Sequence, residues 1–200
     1  MGQEEKNMEV IDSNFCYPPK PLYVPPSSSI FDELDSNEEW VAEVKKNGWR
    51  CMIRVTVNGD IILWTRRKTV ERSPLPNLRI ELKKLSLPQD TILDGELLEH
   101  RGMTKETIMI WGMFRWAGKW TNTIPYKEIR ERIEKIVPEN NPYIIKPKFC
   151  FTGKKKFYYD VLKESEENEG IVIKKLAAPV PFSWNDSEKI RTWIKIKENM

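Results

Sequence analysis

The sequence predicts an α+β fold, antiparallel β-sheets flanked by a few helices, and three observations point to it. Short runs alternating between apolar and polar residues recur from Trp40 to the C-terminus, the period of half-buried strands. Asn58-Gly59 separates two β-prone runs, a strong hairpin signal because both turn residues tolerate positive φ. Helical spacing is confined to a few stretches, of which Tyr126 to Val137 is the clearest.

Taken in order, residues 1–30 read as a Pro/Ser-rich N-terminal segment, and residues 31–200 as the domain. Pro18, Pro19, Pro21, Pro25 and Pro26 precede Ser27-Ser28-Ser29, a composition that favours extended chain and forms no core alone. From Trp40, alternation sets Val41, Glu43 and Lys45 on one face of a strand and Ala42 and Val44 on the other. Cys51 to Val57 and Asp60 to Trp64 form the hairpin arms. Pro74 and Pro76 break the chain, and Asn77 is expected to cap a helix through Ser86, with Leu78, Leu82 and Leu85 at helical spacing. Thr91 to Leu98 is a strand carrying Asp94-Gly95-Glu96. An apolar run, Ile108 to Phe114, leads into the Trp-rich stretch Arg115 to Trp120. Ile129, Ile133 and Ile136 share one side of the Tyr126–Val137 helix, and a further helix is expected over Phe157 to Asn168. Ile171 to Lys174 and Trp193 to Lys197 close the chain as strands.

Composition narrows the function. The chain is 40% hydrophobic and 32% charged, and no apolar run approaches the roughly 18–20 residues that span a bilayer. Met1 to Lys6 lacks the apolar core of a signal peptide, and Lys6 stands where a myristoylation signal needs Ser or Thr. Cys16, Cys51 and Cys150 are widely spaced and His100 is the single histidine, which argues against a disulfide framework and against zinc. An intracellular, reducing location is expected. Net charge is only +3, so any polyanion site must come from local clustering, such as Arg66-Arg67-Lys68 and Lys154-Lys155-Lys156.

Three strands set charged side chains opposite an apolar face: Glu43 and Lys45, Lys174 preceded by Glu169, and Lys195 with Lys197. If the apolar faces are buried, the charged faces line one cleft. Lysines beside Glu96 and Glu169 would suit a polyphosphate and a divalent cation. Each piece alone also reads as a solvated sheet face or a turn.

The order of the pieces resembles the covalent nucleotidyltransferase superfamily, most closely the adenylation domain of ATP-dependent DNA ligases. Lys45-Lys46-Asn47-Gly48-Trp49-Arg50 matches K-x-D-G-x-R except at Asn47. Thr65-Arg66 corresponds to an S-R pair, and Asp94-Gly95-Glu96 is intact. Glu169-Gly170-Ile171-Val172-Ile173-Lys174 matches E-G-x-V-x-K, and Trp193-Ile194-Lys195-Ile196-Lys197 matches W-x-K-x-K. Trp111-Gly112 stands where an F-D pair is usual. The resemblance covers Trp40 to Lys197. It implies an ATP-grasp-like nucleotidyltransferase fold without the C-terminal OB-fold domain that usually follows the last motif.

The resemblance implies that Lys45 attacks the α-phosphorus of ATP, carries AMP, and passes it to a 5′-phosphate, after which a 3′-hydroxyl seals the nick. A neutral amine is required, which for an ordinary lysine near pH 7 costs about 4–5 kcal/mol. Lys174, Lys195 and Lys197 would ease that by like-charge repulsion and would offset charge on the phosphates, giving Lys195 and Lys197 catalytic roles. Glu96 and Glu169 would hold Mg²⁺ or Mn²⁺, with Glu96 alternatively on the ribose. Arg50 and Arg66 would contact ribose and phosphates, and Trp111 would stack on the base. Glu43 would accept from an adenine N6 amino group, which selects ATP over GTP. The implied partner is nicked duplex DNA, with roles in repair, replication or recombination. RNA is the alternative acceptor, and a capping-type guanylyltransferase or a noncatalytic relic of the fold the alternative function. A monomer is expected, with no membrane partner and with a protein partner standing in for the OB domain.

Overall fold

A computed structural model describes residues 15–27, 29–69, 74–100, 103–185 and 188–198; the earlier part of the Pro/Ser-rich segment lies outside them. The strands are β1 (Lys20–Val24), β2 (Trp40–Lys46), β3 (Gly48–Val55), β4 (Ile61–Thr65), β5 (Thr91–His100), β6 (Met103–Trp116), β7 (Lys119–Trp120), β8 (Ile144–Ile145), β9 (Phe149–Cys150), β10 (Asn168–Lys175) and β11 (Lys189–Lys197). The helices are α1 (Ile30–Leu34), α2 (Pro76–Lys84), α3 (Tyr126–Ile136) and α4 (Lys154–Glu164). No helix among the described residues is long and apolar enough to cross a membrane.

The strands form two sheets. One has the order β1-β11-β10-β2-β9, the other β4-β3-β5-β6-β7 with β8 beside β6. Pairing is antiparallel except for β1 with β11 and β6 with β8. The expected α+β class with antiparallel sheets is therefore present, with those two parallel pairs added. Among the described residues no strands remain outside these two sheets to build an OB barrel.

Period two decides where the site lies. Ala42, Val44, Ile171, Ile173, Ile194 and Ile196 point to one face of the five-stranded sheet and bury against Phe31 and Leu34 of α1 and Tyr158 and Val161 of α4. Their neighbours Glu43, Lys45, Val172, Lys174, Trp193, Lys195 and Lys197 therefore face the other way, toward the second sheet. That second sheet packs on α2 and α3 through Leu78, Leu82, Ile129 and Ile133. The chain leaves one sheet at Lys46 and enters the other at Gly48, so Asn47 is the seam. Gly48 is needed there because a Cβ would stand 2.4 Å from the Leu97 carbonyl oxygen.

Several local expectations are corrected. The Asn58-Gly59 hairpin exists, but pairing stops at Val55–Ile61, leaving a five-residue loop in place of a two-residue turn. The Thr56 hydroxyl accepts from the Asn58 and Asp60 N–H groups at 3.2 and 3.0 Å, and of the loop only Gly59 takes a positive φ, 86°. Asn77 does not cap α2; Pro76 opens the helix, where its missing N–H costs nothing, and the Asn77 N–H donates to Glu106 at 3.0 Å. The helix expected over Phe157–Asn168 starts three residues earlier, after left-handed Gly153, and ends at Glu164. Asn168 instead opens β10, its amide donating to the Val161 carbonyl at 2.7 Å. The described part of the Pro-rich segment forms no core alone and lies across the domain: Phe15 and Cys16 are buried in the larger core and Lys20–Val24 is an edge strand. A proline is tolerated there because an edge strand leaves one side unpaired, and the register breaks between Pro21 and Leu22.

Candidate active site

The inner face of the five-stranded sheet and the near ends of β3, β4 and β5 enclose a cleft of about 770 Å³. Glu43, Lys45, Arg50, Arg66, Glu96, Trp111, Glu169, Lys174, Lys195 and Lys197 all border it, so the structure brings together every residue to which the resemblance gave a role in the site. Nine Lys and Arg side chains and three Glu line the walls, an excess of positive charge that suits a polyanion. Pro18, Pro19 and Pro21 complete one wall.

Register explains the lysine cluster. Gly170 of β10 is paired with Lys45 of β2 on one side and Lys197 of β11 on the other. A Cβ at Gly170 would lie 2.1 Å from the Ile196 carbonyl oxygen, and its φ of +147° is one that side chains rarely adopt. With no side chain between them, the two lysines meet over the glycine. Lys45 Nζ donates to Glu169 Oε2, and Lys197 Nζ lies 3.7 Å from the same oxygen. In the next row Val172 pairs with Glu43 and with Lys195. The Lys195 ammonium is pulled below its ordinary pKa, first by burial and then by the like charges of Lys197 and Lys45. Lys46 also reaches the rim but is 3.9 Å from Glu167.

The floor of the cleft is a buried polar network. Glu43, 3% exposed, accepts from Lys174 at 2.6 Å, and Lys174 also donates to the Tyr126 hydroxyl at 2.8 Å. That hydroxyl donates to Glu43 Oε1 at 2.7 Å, with the Trp111 carbonyl a second acceptor 3.0 Å away. Arg130 approaches the same Oε1 at 3.5 Å. Burial lowers the Lys174 pKa against the pull of Glu43, and burial followed by the Glu43 charge raises that of Tyr126. Lys174 therefore stands with Glu43 and not beside Lys45, and both Glu43 oxygens already have partners.

Arg50 is likewise engaged. It grips Asp94 of the D-G-E run through two nitrogens, one at 2.7 Å, and donates to the Pro19 carbonyl at 3.3 Å. Trp111 donates its indole N–H to Asp94 at 3.0 Å, with the Arg50 guanidinium 5.4 Å and the Lys174 ammonium 5.6 Å from its ring centre. Asp94, fully buried, thus orients both residues. Sequence reasoning missed Asp94, Tyr126 and the proline wall. Only Asp94 had a signal, as the first member of a motif otherwise read through its Glu. Arg66 is exposed at the mouth, on a turn held by the 2.6 Å Thr65–Thr69 hydroxyl contact. The other basic cluster does not line the cleft. Lys154 is buried and donates to the Asn37 carbonyl at 3.0 Å and to Phe151, while Lys156 pairs with Asp160.

Two carboxylates have capacity for a cation. Both lysines near Glu169 take Oε2, which leaves Oε1 open. Glu96 has no hydrogen-bond partner among the described residues, and burial pushes its carboxyl up to about 7, with Lys45 and Arg50 pulling the other way. Among the described residues no three acidic, His or Cys side chains converge. The pair therefore fits Mg²⁺, which binds through one or two carboxylates and completes its shell with water and substrate phosphates.

A pH dependence follows. In metal-free buffer the folded chain keeps a proton on Glu96 that the unfolded chain releases near the ordinary value of 4.5. Between that value and about 7 the folded state binds more protons, so stability falls as pH rises and levels off above that window. Glu96→Gln is expected to raise the melting temperature by a few degrees near pH 8 and to change it little near pH 5. Equal shifts at both pH values would contradict this.

No protein-family model and no curated protein sequence matches the chain. Solved structures do match its fold. A mycobacterial DNA ligase D complexed with ATP and MES has a TM-score of 0.63 and 16% identity over 90% of this chain and 60% of its own. The ATP-dependent DNA ligase of bacteriophage T7, in complex with ATP, has 0.59 and 17% over 90% and 68%. An archaeal ATP-dependent RNA ligase has 0.55 and 15% over 90% and 48%. The chain spans about 60% of the mycobacterial ligase's length. With the two sheets, the cleft between them and the motif order in place, the fold is that of the nucleotidyltransferase (adenylation) domain of ATP-dependent ligases.

Proposed function

We propose that the chain is an ATP-dependent polynucleotide ligase, acting on nicked DNA through a covalent lysyl-AMP on Lys45. One observation carries this: the Lys45 amine sits over Gly170 beside Lys197 and Glu169, at the seam of a cationic cleft. The neutral Lys45 amine attacks the α-phosphorus: a P–N bond forms, the bond from that phosphorus to the α–β bridging oxygen breaks, pyrophosphate leaves with the electron pair, and the proton lost from nitrogen passes to water. Lys195 and Lys197 hold the phosphates and meet the charge that develops on them. Glu96 and Glu169 would hold Mg²⁺, which when bound neutralises phosphate oxygens. Glu43, fixed by Lys174 and Tyr126, presents its carboxylate edge toward the base site and favours adenine, and Trp111 stacks there. The AMP then passes to a 5′-phosphate, and a 3′-hydroxyl displaces it. The structural likeness to an archaeal RNA ligase supports RNA as the second reading of the acceptor.

The test is a sealing assay with 5′-phosphorylated nicked DNA and a matched nicked RNA duplex, each supplied with ATP and Mg²⁺. Faster joining of DNA supports the primary reading, and joining of RNA alone selects the second. Adenylation of Lys45 without joining of either overturns the ligase assignment.

A further inference from the structure

The cleft interior uses most of its cations on its own carboxylates, but its mouth does not. Arg66 and Arg67 are exposed and make no ion pair among the described residues. Beside them stands Trp49, 58% exposed, whereas Trp64 and Trp193 are buried at 3% and 2%. The backbone sets this arrangement. Thr65, the last residue of β4, pairs with Cys51, and the turn that follows carries Arg66 and Arg67 to the mouth of the cleft that Trp49 also borders. Trp49 itself is paired with Leu97 of β5, in the same ladder that holds Gly48 against β5. Its indole therefore projects from a paired strand rather than from a loop. An exposed indole next to two unpaired guanidinium groups is the combination that binds nucleic-acid strands: the ring offers a stacking face to any base, and the cations hold the adjoining phosphate.

We infer that Trp49 is a stacking platform for a nucleotide of the acceptor strand, its phosphate lying on Arg66 and Arg67. This rests on the reading of the cleft as a nucleotidyl-transfer site for polynucleotides. It assigns the rim to the acceptor, while the interior holds the triphosphate. The predominantly positive rim matches a phosphodiester strand, and stacking on Trp49 reads no particular base sequence.

The experiment titrates a labelled, 5′-phosphorylated nicked duplex into the protein without ATP, followed by fluorescence anisotropy across a salt series. Trp49→Ala is expected to bind about 5- to 100-fold more weakly than wild type, and Trp49→Phe to keep most of the affinity. Arg66→Ala and Arg67→Ala are expected each to lower the salt slope by about one. Unchanged affinity in Trp49→Ala overturns the platform. So does a Trp49→Phe protein as weak as Trp49→Ala, because a phenyl face also stacks. The adenylation test of wild type is read separately. Adenylate formed together with Trp49-independent binding sinks the platform alone. Trp49-dependent binding in a protein that never adenylates sinks the activity and keeps the surface.

Discussion

Incubated with ATP and Mg²⁺, the wild-type chain is expected to gain the mass of one AMP group, stable to denaturation, while Lys45→Ala gains none. The loss is complete because Lys45 alone fills the nucleophile position of the motif, while Lys197 stands across Gly170 on β11 to hold phosphate. Lys45→Arg fails equally, since a guanidinium stays protonated and cannot attack phosphorus. Lys46→Ala keeps the label, because Lys46 is directed to Glu167. Lys195→Ala and Lys197→Ala each lower the rate of adenylation by about 10²–10³-fold, the effect of removing one preorganised partner of transition-state charge. Intact-mass measurement and labelled-ATP electrophoresis read all of these. Labelling of Lys45→Ala at the wild-type level would remove the nucleophile from Lys45.

Lys174→Met is the second large effect, and it acts on folding. Lys174 is 2% exposed and Glu43 is 3% exposed, so removing the ammonium leaves a carboxylate buried with only the Tyr126 hydroxyl and a 3.5 Å approach from Arg130. Breaking such a pair costs about 3–5 kcal/mol. The double variant Glu43→Gln with Lys174→Met removes both charges and recovers much of that loss, which urea unfolding curves would show as a midpoint between the single variant and wild type. If the double variant is no more stable than Lys174→Met, the ion pair is not what holds the cleft floor. Tyr126→Phe probes the same network more gently. It removes a donor to Glu43 and an acceptor for Lys174 while keeping the ring against Trp193, 5.7 Å away between centres.

The inner face of the five-stranded sheet was legible because alternation is strict where one face is buried. Ile194 and Ile196 lie in the core, so Lys195 and Lys197 have nowhere to go but the cleft. The convergence of Lys45, Glu96 and Glu169 was legible only through motif order, since the residues lie on three elements from two sheets. What could not be read has a physical reason in each case. Strand β1 sits in a Pro-rich stretch whose composition signals extended chain without showing what it pairs with. Strands β7, β8 and β9 are two residues long and carry no period. Lys154 reads as part of a solvated run, yet its ammonium finds the carbonyls of Asn37 and Phe151, and that satisfaction is tertiary. Alternation places Glu43 on the cleft face without showing what holds its carboxylate. Its partners Tyr126 and Lys174 are 83 and 131 residues away, beyond the reach of local pattern.

The seam at Asn47 has a mechanical consequence. Lys45 belongs to one layer and Glu96 to the other, so any molecule that touches both acts as a rivet between them. Filling the space should stiffen the protein as well as position the reactants. Occupancy is then visible as heat resistance, which rises with ligand concentration by mass action and is lost once the two layers are free to slide apart.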